Sequence, residues 1–174
     1  KVIETTSELC EKDENADAEN NSRTADESII ENKKLFTTTA TSLTSTTIAG
    51  DIIPRLIDEI PIIALAATQA NGTSIIKDAK ELTVKESNRI QSTAHVLSKL
   101  GADIEPTFDG MIIKGPTPLY GNTVDCRGDH RIAMMASIAG LIASGETTIK
   151  NSQWIDISFP GYFDTLKTLS TFAL

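Results

Sequence analysis

The stretch LTVKESNRI, Leu82 to Ile90, sets Lys85 beside Glu86, with Arg89 three residues on, between a short apolar strand and a long amphipathic helix. Lys85, Glu86 and Arg89 could together face an anionic ligand, since ammonium and guanidinium groups hold a carboxylate or phosphate. The same residues also suit a plain helix start, where Glu86, Ser87 and Asn88 satisfy free backbone N–H groups and face the positive end of the helix dipole. On this stretch alone both readings stand. A second charged group, RGDHRIAMM from Arg127 to Met135, puts Asp129, His130 and Arg131 at the start of an otherwise apolar helix. Together Lys85, Arg89, Arg127, Arg131 and two helix N-termini could form an anion site. Asp58, just ahead of the apolar run Ile60 to Ala67, reads by itself as the cap of a helix starting near Pro61. Met134 and Met135 read as core filler.

These groups are spaced by an internal repeat. GTSIIKDA, Gly72 to Ala79, matches GETTIKNS, Gly145 to Ser152, at an offset of 73 residues. Before each copy lies an Ala- and Ile-rich helix, expected over Ile60 to Ala70 and Ile132 to Ser144, and before each helix an aspartate, Asp58 and Asp129. After each lies a second helix, expected over Ser87 to Leu100 and Gly161 to Leu169. Asp109-Gly110 turns a hairpin between DIEPTF and MIIKG. Each unit thus reads strand, helix, strand, helix, then strands. Strand-like runs at Lys1 to Thr6 and Lys34 to Thr39 read as what is left of a third unit. The second copy carries Ser158, Phe159 and Pro160 where the first has Lys85, Glu86 and Ser87. A helix start in this fold therefore does not need those charges, which weighs toward a ligand.

The 174 residues are 40% hydrophobic and only 5% aromatic, so an aliphatic core is expected and a stacking surface for single-stranded nucleic acid is not. The apolar run Ile60 to Ala67 is far short of the ~20 residues of a membrane span, and no secretory leader is visible, so a cytoplasmic location without membrane contact is expected. Cys10 and Cys126 have neither disulfide nor metal spacing and read as incidental thiols. The net charge of −8 is concentrated: Glu11 to Glu31 holds eight acids against Lys12 and Arg23, a net of −6. Residues 10–33 are expected to form a solvated, disordered loop.

LIDEIPIIALAA, KDAKELTVKESNRI, KLGADIEPTFDGMIIKG, GDHRIAMMASIAGLIA and ISFPGYFDTL, in this order and spacing, resemble the 5-enolpyruvylshikimate-3-phosphate synthase family. The resemblance runs from about Leu35 to Leu169. It implies an α/β (α+β) protein of the enolpyruvyl transferase, inside-out barrel-like fold, in which each of two domains is three βαβαββ units and the active site lies between them. Residues 1–174 would be a single domain, its last two units plus part of a third, lacking the second domain and inactive by itself. The implied reaction carries the enolpyruvyl group of phosphoenolpyruvate to the 5-hydroxyl of shikimate 3-phosphate, releases phosphate, and needs neither a metal nor an organic cofactor. By resemblance Asp58 stands near the attacking hydroxyl, Glu86 exchanges a proton with the methylene carbon, and Lys85 neutralises charge at the transferring oxygen. Arg89 and Arg131 would grip phosphoenolpyruvate, with Asp129 and His130 orienting that cluster.

One departure from the family is Ile157 and Ser158, where many members have a lysine before the Phe-Pro pair. Two rival readings are the sister enzyme that takes UDP-N-acetylglucosamine as acceptor, and a non-catalytic βα scaffold. The Lys85-Glu86 and Gly128-to-Arg131 motifs argue against the first, and titration with both substrates separates the second.

Overall fold

A computed structural model of the chain describes residues 6–8, 35–37 and 42–171. Two compact units are distinguished, Lys1–Thr41 with Leu169–Leu174, and Ser42–Thr168. Of the first, strands β1 (Thr6–Glu8) and β2 (Leu35–Thr37) are described, an antiparallel pair in which Ser7 faces Phe36. The acidic stretch at 10–33, expected as a loop, lies outside the described residues.

The second unit starts with β3 (Thr47–Ile48), short helices α1 (Ile53–Leu56) and α2 (Ile60–Thr68), and β4 (Gly72–Ile76). Helix α3 (Arg89–Lys99) and the hairpin of β5 (Asp103–Pro106) and β6 (Met111–Gly115) complete a βαβαββ order. The four strands form one sheet, β3-β4-β6-β5, parallel across β3/β4 and antiparallel elsewhere, with Ile75 opposite Ile112. Next come β7 (Thr123–Asp125), α4 (His130–Ile142), β8 (Thr148–Lys150) parallel to β7, α5 (Ile155–Ser158) and α6 (Tyr162–Thr171), whose residues up to Thr168 belong to this unit.

The 73-residue offset is written into the backbone as well as the sequence. Gly72 and Gly145 have φ of +103° and +94°, and Asp78 and Asn151 have +63° and +59°. Asp and Asn tolerate this left-handed region better than other side chains, and each serves here to end a strand before a 3₁₀ turn, Lys80–Val84 or Ser152–Trp154. The following helices start at Arg89 and Tyr162, again 73 apart.

Both Ala-rich helices are apolar nearly all round, and such helices need cover on every side. Ile60, Ala64 and Leu65 of α2, Val96 and Leu97 of α3, and Ile132, Ala133, Met135 and Ala136 of α4 share one core with Ile76, Met111 and Ile113 of the sheet. Ile63, Met134 and Ile138 are partly buried against it. The cover stops short of the last turn of α4, where Leu141 and Ile142 are exposed. Helix α2 also lies close on β6. A Cβ on Gly115 would come within 2.5 Å of the Ala70 carbonyl oxygen and 2.7 Å of that of Thr68.

Two substitutions test this packing by urea denaturation. Gly115→Ala has no room for its methyl against the carbonyls ending α2 and should cost about 1–3 kcal/mol, while Leu97→Ala, which empties a fully enclosed position, should cost about 2–5 kcal/mol. Unchanged midpoints in both would contradict the described core.

Candidate functional site

The turn ahead of α4 is built to bring one carboxylate inward. Asp125 Oδ1 accepts hydrogen bonds from the Arg127 backbone N–H and from Asn151 Nδ2, both at 2.8 Å. Those bonds, the backbone one first, hold the Asp125 carboxyl below the usual carboxylate range. Arg127 and Gly128 then take left-handed φ of +51° and +79°, and the Asp129 N–H donates to the Cys126 carbonyl at 3.0 Å. Asp129 caps the helix, its Oδ1 accepting from the backbone N–H groups of Arg131 at 3.0 Å and Ile132 at 3.5 Å. Its other oxygen, Oδ2, accepts from Ser87 Oγ and Arg89 Nε, each at 2.9 Å.

Arg89 is the centre of the cluster. Its side chain is 1% exposed, and three of its five N–H groups are committed to three carboxylates. Nε donates to Asp129, Nη1 to Asp58 Oδ1 at 2.8 Å, and Nη2 to Glu86 Oε2 at 2.5 Å. Burial by itself would lower the basicity of the guanidinium, but the hydrogen bond to Asp129 and the charges of Asp129 and Glu86 outweigh it, so the pKa of Arg89 is raised. For Asp129 burial pushes up, and the hydrogen bonds from Arg89 and Ser87 with the charge of Arg89 push down harder, leaving the carboxyl below its ordinary value. The three acids differ in access. Asp129 is wholly buried, whereas Asp58 and Glu86 remain 45% and 48% exposed and present their carboxylates to solvent.

Two ambiguities of the sequence resolve in the geometry. Asp58 does not cap α2: the residue at the cap position is Glu59, which makes no side-chain capping bond. In the KESNR stretch only Asn88 caps, its Oδ1 accepting from the Gln91 N–H at 3.2 Å, while Glu86 and Ser87 turn to Arg89 and Asp129. Arg131 joins the same cluster. Its Nη1 donates to the Asp58 carbonyl at 3.2 Å and to Glu59 Oε1 at 3.0 Å, and its Nη2 lies 3.5 Å from Asp58 Oδ2.

Other residues expected at the site are less engaged. Lys85, next in chain to Glu86, is held by Glu81 one turn back at 2.7 Å. His130 opens α4 half-buried and its imidazole makes no hydrogen bond to another described residue, so the orienting contacts in the cluster come from Asp129. Arg127 is exposed and contributes its backbone, as the left-handed residue of the turn. Ile157, at the departure from the family pattern, is 73% exposed on α5. Sequence reasoning did not single out Glu59 or give Ser87 more than a capping role. Cys126 is enclosed, and burial, then the charges of Asp125 and Asp129, push its thiol up to about 12, which leaves no thiolate to act as a nucleophile near neutrality. Among the described residues no three His, Cys, Asp or Glu side chains are grouped as a metal site needs.

Residues 15–166 match the family EPSP synthase (3-phosphoshikimate 1-carboxyvinyltransferase). A 3-phosphoshikimate 1-carboxyvinyltransferase from Bacillus cereus is 57% identical over 135 residues, 78% of this chain and 32% of that protein. One from Brevibacillus brevis is 60% identical over 123 residues, 71% of this chain and 29% of that protein. Among solved structures, EPSP synthase from Acinetobacter baumannii superposes with a TM-score of 0.72 at 36% identity, covering 82% of this chain and 33% of that one. The chain thus spans about a third of the length of the curated relatives it matches.

The buried pair predicts an acid sensitivity. The folded Asp129 carboxyl titrates below its unfolded value of about 3.9, so the pair's contribution is complete above that pH and is lost as the pH falls through the lower, folded value. Asp129→Asn should therefore flatten the loss of stability below pH about 4, read from urea midpoints across pH. Asp129→Ala, which leaves the Arg89 charge enclosed without its buried partner, should cost about 3–5 kcal/mol at neutral pH. Equal acid slopes in the Asn variant and the parent would refute the assignment.

Proposed function

This chain belongs to the EPSP synthase family, and we propose on that footing that it supplies one face of the active site of a 3-phosphoshikimate 1-carboxyvinyltransferase. The reaction is addition and elimination. The 5-hydroxyl of shikimate 3-phosphate adds to the central carbon of phosphoenolpyruvate as the methylene carbon gains a proton. The resulting intermediate then loses phosphate and returns the methyl proton, leaving the enolpyruvyl ether. The last two βαβαββ units of one domain and part of a third, working with a second domain in the cytoplasm, are the setting proposed for residues 1–174.

The observation that carries the reading is the meeting of Asp58, Glu86 and Asp129 on one buried guanidinium, with Arg131 alongside at 28% exposure. Helix capping explains Asp129 and Asn88 but neither Asp58 nor Glu86, whose carboxylates are fixed by Arg89 and still open to solvent. Two fixed, accessible carboxylates among cations are what a two-stage proton exchange needs. In the proposal Glu86 exchanges the proton at the methylene carbon, Asp58 stands by the attacking hydroxyl, and Lys85 compensates charge on the transferring oxygen. Arg131 offers its planar N–H groups to the carboxylate or phosphate of phosphoenolpyruvate. Arg89, enclosed and bonded to three carboxylates, acts mainly as the bracket that spaces Asp58 from Glu86. Helix length and hydropathy fit work away from a bilayer: no helix among the described residues is long and apolar enough to cross a membrane.

Steady-state kinetics on the enzyme at its relatives' full length, carrying this sequence, test the reading. Glu86→Gln keeps the shape and removes the proton exchange, so kcat should fall about 10²- to 10⁴-fold. Arg131→Ala should act mainly on KM for phosphoenolpyruvate, raising it about 10- to 100-fold, the worth of a hydrogen bond to a charged group. Full activity in both variants would overturn the proposal.

A further inference from the structure

Glu59 belongs to the cluster but has no part in the proposed chemistry. It stands at the cap position of α2 with helical φ and ψ of −93° and −8°, and its side chain makes no capping bond, so the helix does not need its carboxylate. What that carboxylate does is accept from Arg131 Nη1 at 3.0 Å, at a side chain that is 58% exposed. Arg131 is in turn the more accessible of the two arginines, 28% exposed against 1% for Arg89.

An anion that binds Arg131 must therefore compete with an acid already in place. We propose that Glu59 is a resident counter-ion of Arg131, which occupies the guanidinium until the anionic group of the donor substrate displaces it, and so sets the affinity for that substrate. The inference rests on the proposed role of Arg131. Two physical features favour an exchange over a fixed pair. The Glu59–Arg131 contact lies at the surface, where ion pairs hold weakly, in contrast to the enclosed Arg89–Asp129 pair. Replacing one carboxylate by another also keeps the Nη1 donor satisfied, so no charged group is left bare at any stage. The remaining contacts of Arg131, to the carbonyl and carboxylate of Asp58, keep its head in place while Glu59 swings away.

The test is KM for phosphoenolpyruvate at saturating shikimate 3-phosphate, in the full-length enzyme bearing this sequence. Glu59→Gln preserves size and removes the competing charge, and KM should fall about two- to fivefold, the range an exposed ion pair spans. Glu59→Asp, which restores a carboxylate, should bring KM back to within about twofold of the parent. A purely structural Glu59 would give no gain in affinity. An unchanged or raised KM in Glu59→Gln, with an unchanged thermal midpoint, overturns the inference and leaves the proposed function standing. Failure of the parent enzyme itself to use phosphoenolpyruvate overturns both.

Discussion

An arginine cannot shed its charge at any pH a protein experiences, so burying one commits the surrounding chain to supply carboxylates. Arg89 is enclosed at the first residue of α3, and its carboxylates come from three places: Asp58 ahead of α2, Glu86 ahead of α3 itself, and Asp129 at the start of α4. One guanidinium thus ties together the N-terminal ends of the three helices that share the core. The positive ends of three helix dipoles would disfavour a bare cation there, and they favour the acids that meet it. The remaining acidic and basic groups of the cluster are arranged around this constraint, with Asp58 and Glu86 reaching solvent from a fixed base.

Much of this could be read from the chain before its fold was known, because it is periodic. The match of GTSIIKDA to GETTIKNS fixed the spacing of strands and helix starts, and the left-handed positions at Gly72, Gly145, Asp78 and Asn151 keep the same offset. Helix ends were less legible: α3 starts at Arg89 where a start near Ser87 was expected, because Asn88 takes the cap and frees the two residues before it. Helix α4 starts two residues earlier than the apolar pattern suggests, because Asp129 caps from within a turn that needs Arg127 and Gly128 left-handed.

The roles of the acids were not legible from type and spacing. Asp58 and Asp129 occupy similar places in the repeat yet do different work, since a helical turn at 53–56 precedes the first and a left-handed pair precedes the second. That backbone difference leaves one carboxylate at the surface and encloses the other. Glu59 and Ser87 were missed for a related reason. Each acts on a partner, Arg131 or Asp129, supplied by the next repeat, 72 and 42 positions away. No local pattern announces such a contact.

The cluster also has a net sign. Asp58, Glu59, Glu86 and Asp129 face only Arg89 and Arg131, four negative charges against two positive, while Lys85 and Glu81 cancel each other. Taken by themselves, the side chains that hold these arginines therefore carry an excess of negative charge, against which an anion reaches the exposed guanidinium. Steering of a ligand toward an oppositely charged patch weakens as salt is added; the excess charge of these four acids works in the other sense, and added salt screens its repulsion of an anion.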